Sequence, residues 1–247
     1  MGNDLNRPTP AQLALRELDQ CRALLSDTDD WSAATPCEGW DVEALARHIA
    51  AVAWQQAEAF HRGRVGIAEA PSWLAATGGR EELLTLLEEA RRHLSVTEAI
   101  DDSATVPLPV APLRAPIATS VLVLEYGVHR ADLERSLLGA PADQLDPSVA
   151  RTVAGLLPGL VPLLVEKPPA AAVTYRLRGD STTVAITYEG DAWRPGEGDG
   201  GTPVCEIRGS DAAVALLVLG RIGADHPALE TNDPAAASAL PQHIRRL

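Results

Sequence analysis

Three ionisable residues, His48, Glu125 and His129, lie on stretches whose other inward positions are apolar. Glu125 and His129 are four residues apart, so on a helix their side chains share one face, with Cβ atoms about 5–6 Å apart. His48 lies between Leu45 and Val52 on a separate helical pattern and also points toward the core. Buried ionisable groups are costly unless they are paired or bind a metal. Two imidazoles and one carboxylate would leave one position of a tetrahedral zinc open, as in catalytic zinc sites.

The spacing of glutamate and histidine is weak evidence by itself, because a short pattern of two residue types often arises by chance. The chain contains a second copy, Glu89 and His93, within the charged run EEARRH. That copy is predicted to lie on a solvated helix face. A lone histidine on an apolar face is more often a hydrogen-bonded core residue than a ligand. The metal hypothesis therefore depends on three inward groups on two helices.

Composition restricts the function classes. The formal net charge is −13, whereas nucleic-acid binding needs a basic surface, so no nucleic-acid partner is expected. The three cysteines, Cys21, Cys37 and Cys205, fit neither a disulfide framework nor a paired-cysteine metal site. Cys21 and Cys205 are predicted to be core residues. Cys37 precedes the second helix and is either a small buried apolar residue, which is favoured, or a residue near the site. No apolar run approaches the roughly 18 residues of a membrane span, and the N-terminus lacks the apolar region of a signal peptide. We expect a cytoplasmic protein with no membrane partner.

Helical periodicity dominates the first half of the chain. Thr9 and Asp41 are predicted N-caps, and Gly139 is predicted to end the last helix of this half. The proline-rich segment VPLPVAPLRAP is predicted to be an extended crossover, because proline disrupts helix interiors. A loop with Gly63, Gly66 and Pro71 separates the second and third helices. The four predicted helices span about 10–25, 42–61, 80–96 and 117–138.

The second half changes period. A helix starting at Asp146-Pro147 is predicted to be broken by Pro158 and Pro162. Alternating residues then predict a β-hairpin over 172–178 and 182–188 and a strand over 203–208. A helix capped by Ser210, a short strand near 229–231 and a last helix from Pro234 follow. The fold class is therefore an all-α domain followed by a smaller α+β domain.

Three segments, by their order and spacing, resemble the mycothiol-dependent maleylpyruvate isomerase family. They are TPCEGWDV at 35–42 leading to His48, EYGVHRAD at 125–132, and Leu219-Gly220-Arg221. The resemblance implies a DinB-like four-helix bundle over residues 1–142 that carries the metal site. It also implies a small α+β C-terminal domain over residues 143–247 that contributes to the active site.

The resemblance also assigns roles. His48, Glu125 and His129 would be the metal ligands, with Zn²⁺ as the metal and mycothiol as the thiol cosubstrate. Arg221 would be a catalytic residue of the second domain, with capping of the 210–219 helix as the alternative role.

Two further residues of these segments invite interpretation. Asp132 either holds an imidazole N–H or pairs with Arg130 or Arg135 on the surface. Trp40 is predicted to order the turn into the second helix.

A thiol with a pKa of about 8.5 is mostly protonated at neutral pH, and a bound zinc would deprotonate it. We therefore expect a zinc-dependent enzyme that activates a low-molecular-weight thiol against a small electrophilic substrate, with thiol S-transfer favoured. The alternatives are a mycothiol-dependent cis–trans isomerase of a maleylpyruvate-like acid, a non-catalytic regulatory or binding module, and metal-dependent hydrolysis. A monomer or homodimer is expected.

Overall fold

The chain forms two compact units, and the division falls between Ala140 and Pro141. The computed structural model describes residues 8–62, 79–165, 167–198 and 200–244. The predicted loop with Gly63, Gly66 and Pro71 lies outside them. The predicted fold class, helical first and α+β second, is confirmed. The assignment of one function to each domain stays a prediction.

Four helices build the first unit. Each of α1 and α2 packs against both α3 and α4, so the four helices enclose one core. The predicted four-helix bundle is confirmed. The helices are α1 (Pro10–Asp27), α2 (Val42–Arg62), α3 (Arg80–Leu94) and α4 (Ala115–Leu138).

Local sequence explains where these helices begin and end. The Thr9 hydroxyl accepts from the Gln12 N–H, and the Gln12 side chain accepts from the Thr9 N–H, which forms a capping box at α1. Asp41 accepts from Ala44 N–H at 2.8 Å at the start of α2. Gly139, with φ +67°, ends α4 in the left-handed conformation that glycine adopts without strain. All three predicted boundary residues are confirmed.

The proline-rich segment between α3 and α4 is a hairpin rather than an extended crossover. A 3-10 helix, Ser95–Ala99, continues α3, and strands β1 (Thr105–Pro107) and β2 (Pro112–Arg114) then pair antiparallel. Pro107 lies opposite Pro112 in this register. A two-stranded ladder consists only of edge strands, which tolerate proline. The predicted absence of helix holds through Arg114, whereas the predicted crossover was wrong because the segment folds back on itself.

The second unit opens with a continuous helix, α5 (Pro147–Leu164). The predicted breaks at Pro158 and Pro162 do not occur, because buried side chains along one face, including Val153 and Leu157, offset the lost backbone hydrogen bonds. By length and composition α5 is apolar enough to span a membrane, with a mean hydropathy of 1.3, and 44% of it is buried within the fold. No apolar helix of this length was expected from the sequence.

A five-stranded sheet completes the second unit, in the order β5-β4-β3-β6-β7. Only the β3–β6 pair is parallel. A two-residue turn, Gly190-Asp191, with φ +56° and +61°, joins β4 to β5. The sequence analysis predicted neither this turn nor β5. The strands are β3 (Val173–Arg178), β4 (Thr183–Glu189), β5 (Ala192–Pro195), β6 (Val204–Gly209) and β7 (Leu229–Thr231). The remaining helices, α6 (Asp211–Val218) and α7 (Pro234–His243), both contact β6.

Candidate functional site

The structure brings His48, Glu125 and His129 together inside the helical bundle. Glu125 Oε1 lies 2.8 Å from His48 Nε2 and 3.3 Å from His129 Nε2. His48 comes from α2 and the other two residues from α4, one helical turn apart. The imidazole rings of His48 and His129 meet edge to face at a centroid distance of 5.0 Å. The three side chains therefore converge on one point, as their spacing predicted.

The sequence of α4 explains why these polar groups are inside. Residues from Val121 through His129 are all buried, so the helix presents no hydrophilic side to water over two turns. Glu125 and His129 consequently cannot avoid the interior. The His129 side chain is 2% exposed and the Glu125 side chain 9%, whereas His48 keeps 27% of its side chain exposed. The site is closed on the α4 side and reaches solvent beside His48.

Electrostatics couple these buried groups strongly. Burial alone would raise the pKa of Glu125, but hydrogen bonds to His129 and His48 outweigh it and hold that pKa well below its usual range. Burial alone would lower the pKa of His129, yet hydrogen bonds with Asp132, Cys37 and Glu125 raise it well above the usual value. Both shifts favour the charged form of the group, an ionised carboxylate beside a protonated imidazole, and a metal ion bound at Nε2 would displace a proton there.

Asp132 supports His129 from the other side of the imidazole ring. Its Oδ2 lies 3.0 Å from His129 Nδ1, and both side chains are buried. Arg130 instead contacts Glu17 and Glu134. Of the two roles considered for Asp132, the structure thus shows the contact with the imidazole. A carboxylate on the Nδ1 side of a histidine leaves Nε2 as the nitrogen that faces a metal.

The donor set fits a zinc ion. Ligand atoms about 2.0–2.2 Å from a tetrahedral zinc are about 3.4 Å apart. The separations of 2.8 and 3.3 Å from Glu125 Oε1 are near that value, and one ligand atom from each of the three residues falls within 4.8 Å of the others. Two nitrogens and one oxygen would leave a fourth position for a thiol or water. The role of these residues as metal ligands stays a prediction.

A turn at 34–41 contacts both histidines of the site. Trp40 packs against His48 with ring centroids 4.9 Å apart. On the opposite side of the turn, Cys37 Sγ lies 3.4 Å from Asp132 Oδ2. The sequence analysis favoured a buried apolar role for Cys37 and gave a place near the site as the alternative, because Cys37 precedes the helix that carries His48. The structure shows both, since Cys37 is buried and contacts Asp132.

Other residues singled out from the sequence lie elsewhere. His93 is half-buried and packs beside Trp54 and His61, with ring centroids 6.0 and 5.5 Å away, so its predicted place on a solvated face was wrong. Arg221 follows α6 in the second unit, where its Nη1 donates to the carbonyl of Leu219 at 3.2 Å. This is the capping contact considered for it. The assignment of Arg221 to the active site stays a prediction.

The bundle and its inward His–Glu–His set define a DinB-like helical protein with a candidate metal centre. The family model described as the mycothiol maleylpyruvate isomerase N-terminal domain matches residues 11–134, half of the chain. The chain belongs to this family.

Two solved structures are similar over the full length of both chains. The crystal structure of the mycothiol-dependent maleylpyruvate isomerase has a TM-score of 0.65, and that of its histidine-to-alanine mutant has 0.66, each with 18% identity. At this identity the likeness shows the fold. No curated protein matches the sequence.

Proposed function

We propose that this protein is a mycothiol-dependent cis–trans isomerase of a small unsaturated acid of the maleylpyruvate type, with a divalent metal, zinc, held by His48, Glu125 and His129. The observation that carries the proposal is that these three side chains meet within the domain that the family model matches. The name of the family and of its structural neighbours supports isomerisation over the S-transfer that the sequence analysis favoured.

The reaction needs a nucleophilic sulfur and no net redox change. The thiolate sulfur adds to one carbon of the double bond, the resulting single bond rotates, and elimination expels the same thiolate and restores the double bond in the trans form. Zinc at this site would supply the acidity that converts a bound thiol into a thiolate at neutral pH. The thiol is regenerated, so it acts catalytically.

The residues of the chain supply geometry and charge. Glu125 would bring one negative charge to a bound divalent ion, which would lower the net positive charge of the site and keep the thiolate from binding too tightly to leave. Asp132 orients His129 through Nδ1. The exposed edge of His48 leaves the open position accessible from solvent. A site that is open to solvent at His48 allows a small substrate to enter and its product to leave.

Arg221 remains the proposed catalytic residue of the second unit. Its planar guanidinium matches a carboxylate through two parallel hydrogen bonds, and the proposed substrate is an acid. Arg221→Lys keeps the charge but loses the fork. We expect this variant to retain wild-type metal content while KM for the acid rises about tenfold or more. Unchanged kinetics would remove Arg221 from the active site.

Metal content tests the site. Purified protein should carry about one zinc per chain, and His48→Ala, Glu125→Ala and His129→Ala should each lose it. Glu89→Ala and His93→Ala, which change the second copy of the same spacing, are the matched controls and should keep the metal. A folded wild type that stays empty when zinc is supplied would refute the metal centre and favour the binding-module interpretation.

Turnover tests the reaction. Maleylpyruvate should be converted only when mycothiol is added, and titration of free thiols should show no loss as product accumulates. Consumption of one thiol per product would instead establish S-transfer, the second candidate. Turnover of a hydrolysable substrate with no thiol present would indicate metal-dependent hydrolysis. The fate of the thiol separates isomerisation from S-transfer, and turnover without any thiol identifies hydrolysis.

A further inference from the structure

Three buried side chains form a chain of contacts behind the proposed metal ligands. Cys37 Sγ lies 3.4 Å from Asp132 Oδ2, and the same oxygen lies 3.0 Å from His129 Nδ1. All three residues are buried. The S–H group donates to the carboxylate, and so does the imidazole N–H. One carboxylate oxygen is thus held from two directions, by an element of the 34–41 turn and by α4.

Hydrogen bonds within the turn itself hold the backbone of Cys37 in place. Trp40 N–H donates to the Cys37 carbonyl at 3.0 Å, which closes a four-residue turn with Gly39 at φ +78°. This is the geometry of a type II turn. The Thr35 hydroxyl accepts from Cys37 N–H at 3.2 Å and donates to the Trp40 carbonyl at 2.9 Å. These hydrogen bonds fix the backbone that carries the Cys37 side chain.

Cys37 lies on the side of His129 that faces away from Glu125. Glu125 contacts Nε2, whereas Asp132 contacts Nδ1. Donor atoms of Cys37, His129 and Asp132 form their own group within 4.8 Å, and this group shares only His129 with the metal set. The geometry makes the thiol a partner of the supporting carboxylate rather than a fourth ligand of the same ion.

We propose that Cys37 is a positioning residue: its thiol orients the Asp132 carboxylate, which in turn holds His129 with Nε2 directed at the metal. The inference rests on the metal site proposed above. A carboxylate that supports a ligating histidine typically contributes about 10–100-fold in metal affinity. The thiol is a weak hydrogen-bond donor, so its contribution should be smaller than that of the carboxylate. It should act chiefly through Asp132, with a lesser part through its own contact with His129.

A double-mutant cycle on zinc affinity tests this dependence. The dissociation constant of zinc would be measured by chelator competition on folded apoprotein for wild type, Cys37→Ala, Asp132→Asn and the double variant. We expect about threefold to tenfold weaker binding for Cys37→Ala and about 10–100-fold for Asp132→Asn. The double variant should bind less than about twofold more weakly than Asp132→Asn alone, because the thiol acts chiefly through the carboxylate.

Two further variants guard against a purely structural effect. Cys37→Ser keeps a donor in nearly the same volume and should restore most of the affinity lost in Cys37→Ala. Cys205→Ala removes an equally buried thiol from β6 and should leave zinc affinity unchanged. If Cys37→Ala does not fold, the cycle is run with Cys37→Ser and Cys37→Val, where only the valine variant lacks a donor and is expected to weaken binding.

Several results would overturn the proposal. Wild-type affinity in Cys37→Ala, or an equal loss from Cys37→Ala in the wild-type and Asp132→Asn backgrounds, would show that the thiol does not act through the carboxylate. A thiolate charge-transfer band in the Co²⁺-substituted protein that disappears in Cys37→Ser would make Cys37 a direct ligand. Two zinc ions per chain, with one lost in Cys37→Ala, would make the cluster a second metal site. A folded wild type that binds no zinc would overturn the metal centre and this inference together.

Discussion

The phenol of Tyr126 donates a hydrogen bond to Oε1 of Gln56, and both side chains are buried. Tyr126 follows Glu125 on α4, and Gln56 lies two turns beyond His48 on α2. The bond thus joins the two helices that carry the proposed ligands. Fixing α2 against α4 at this level restricts the separation of His48 and Glu125.

Removing this hydrogen bond should lower stability. In Tyr126→Phe the buried amide of Gln56 loses a partner, and we expect the free energy of unfolding to fall by about 1–3 kcal/mol. Urea denaturation measures the change. Tyr188→Phe is the matched control, because its hydroxyl reaches Asp191 only at 3.4 Å. Equal effects of the two substitutions would contradict the role given to the Tyr126–Gln56 bond.

Asp211 should make the second unit sensitive to acid. Burial alone would raise its pKa, but hydrogen bonds from Ser181 and Thr182 outweigh burial and lower the pKa below the ordinary value of 3.8. A lowered folded-state pKa stabilises the fold at neutral pH, and this stabilisation is lost as the pH falls through the folded-state pKa.

The stability difference between wild type and Asp211→Asn should therefore be full at pH 7 and shrink below about pH 3.8. Urea unfolding at several pH values measures it. Asp180→Asn, an exposed acid of the same hairpin turn, leaves these hydrogen bonds in place and should unfold like wild type at pH 7. A difference that is constant from pH 7 to pH 3 would contradict the assignment.

Gly39 should resist substitution for a conformational reason alone. A Cβ at this position would meet no atom within 4 Å, but φ is +78°. An alanine there is strained, and we expect Gly39→Ala to cost about 1–2 kcal/mol, with a smaller loss for Gly39→Asn. Gly155→Ala, in the exposed middle of α5, also meets open space. Gly155→Ala should stabilise the protein by about 0.5–1 kcal/mol. Thermal melting should therefore show a lower melting temperature for Gly39→Ala and a higher one for Gly155→Ala.

Glu17 should be among the most sensitive charged residues of the first unit. It is fully buried and contacts Arg16 at 2.7 Å and Arg130 at 2.5 Å. In Glu17→Gln the largely buried positive charge of Arg130 loses a negative partner. We expect the free energy of unfolding to fall by about 3 kcal/mol. Glu43→Gln, which removes an exposed pair with Arg47, should change stability by less than about 0.5 kcal/mol. Comparable losses of stability in Glu17→Gln and Glu43→Gln would show that burial does not determine how much each ion pair contributes.

The convergence of the three candidate ligands could be predicted because it depends on local periodicity. Helix geometry places Glu125 and His129 on one face from sequence spacing alone. His48 lies on the inward face of its own helix for the same reason. The same reasoning identified the caps at Thr9 and Asp41 and the stop at Gly139. Each of these features is decided within a few residues of chain.

The remaining features depend on contacts that spacing does not encode. Cys37 and Asp132 are 95 residues apart and meet only because the turn before α2 packs against α4. His93 resembles a solvated residue within its own helix but lies beside Trp54 of the neighbouring helix. The proline-containing α5 remains helical because its buried face outweighs the local preference. In each case packing against a partner element overrides the local pattern.

At the proposed metal site, the unequal exposure of the two imidazoles would set the order in which an ion binds and leaves. A divalent ion arriving from solvent would meet His48, which keeps 27% of its side chain exposed, before it meets His129, which keeps 2%. Departure would follow the reverse order, with His48 detaching first while Glu125 and His129 still hold the ion. The rate of metal exchange would therefore be governed by the solvent-facing histidine, whereas the sealed pair on α4 would govern how long a partly detached ion stays.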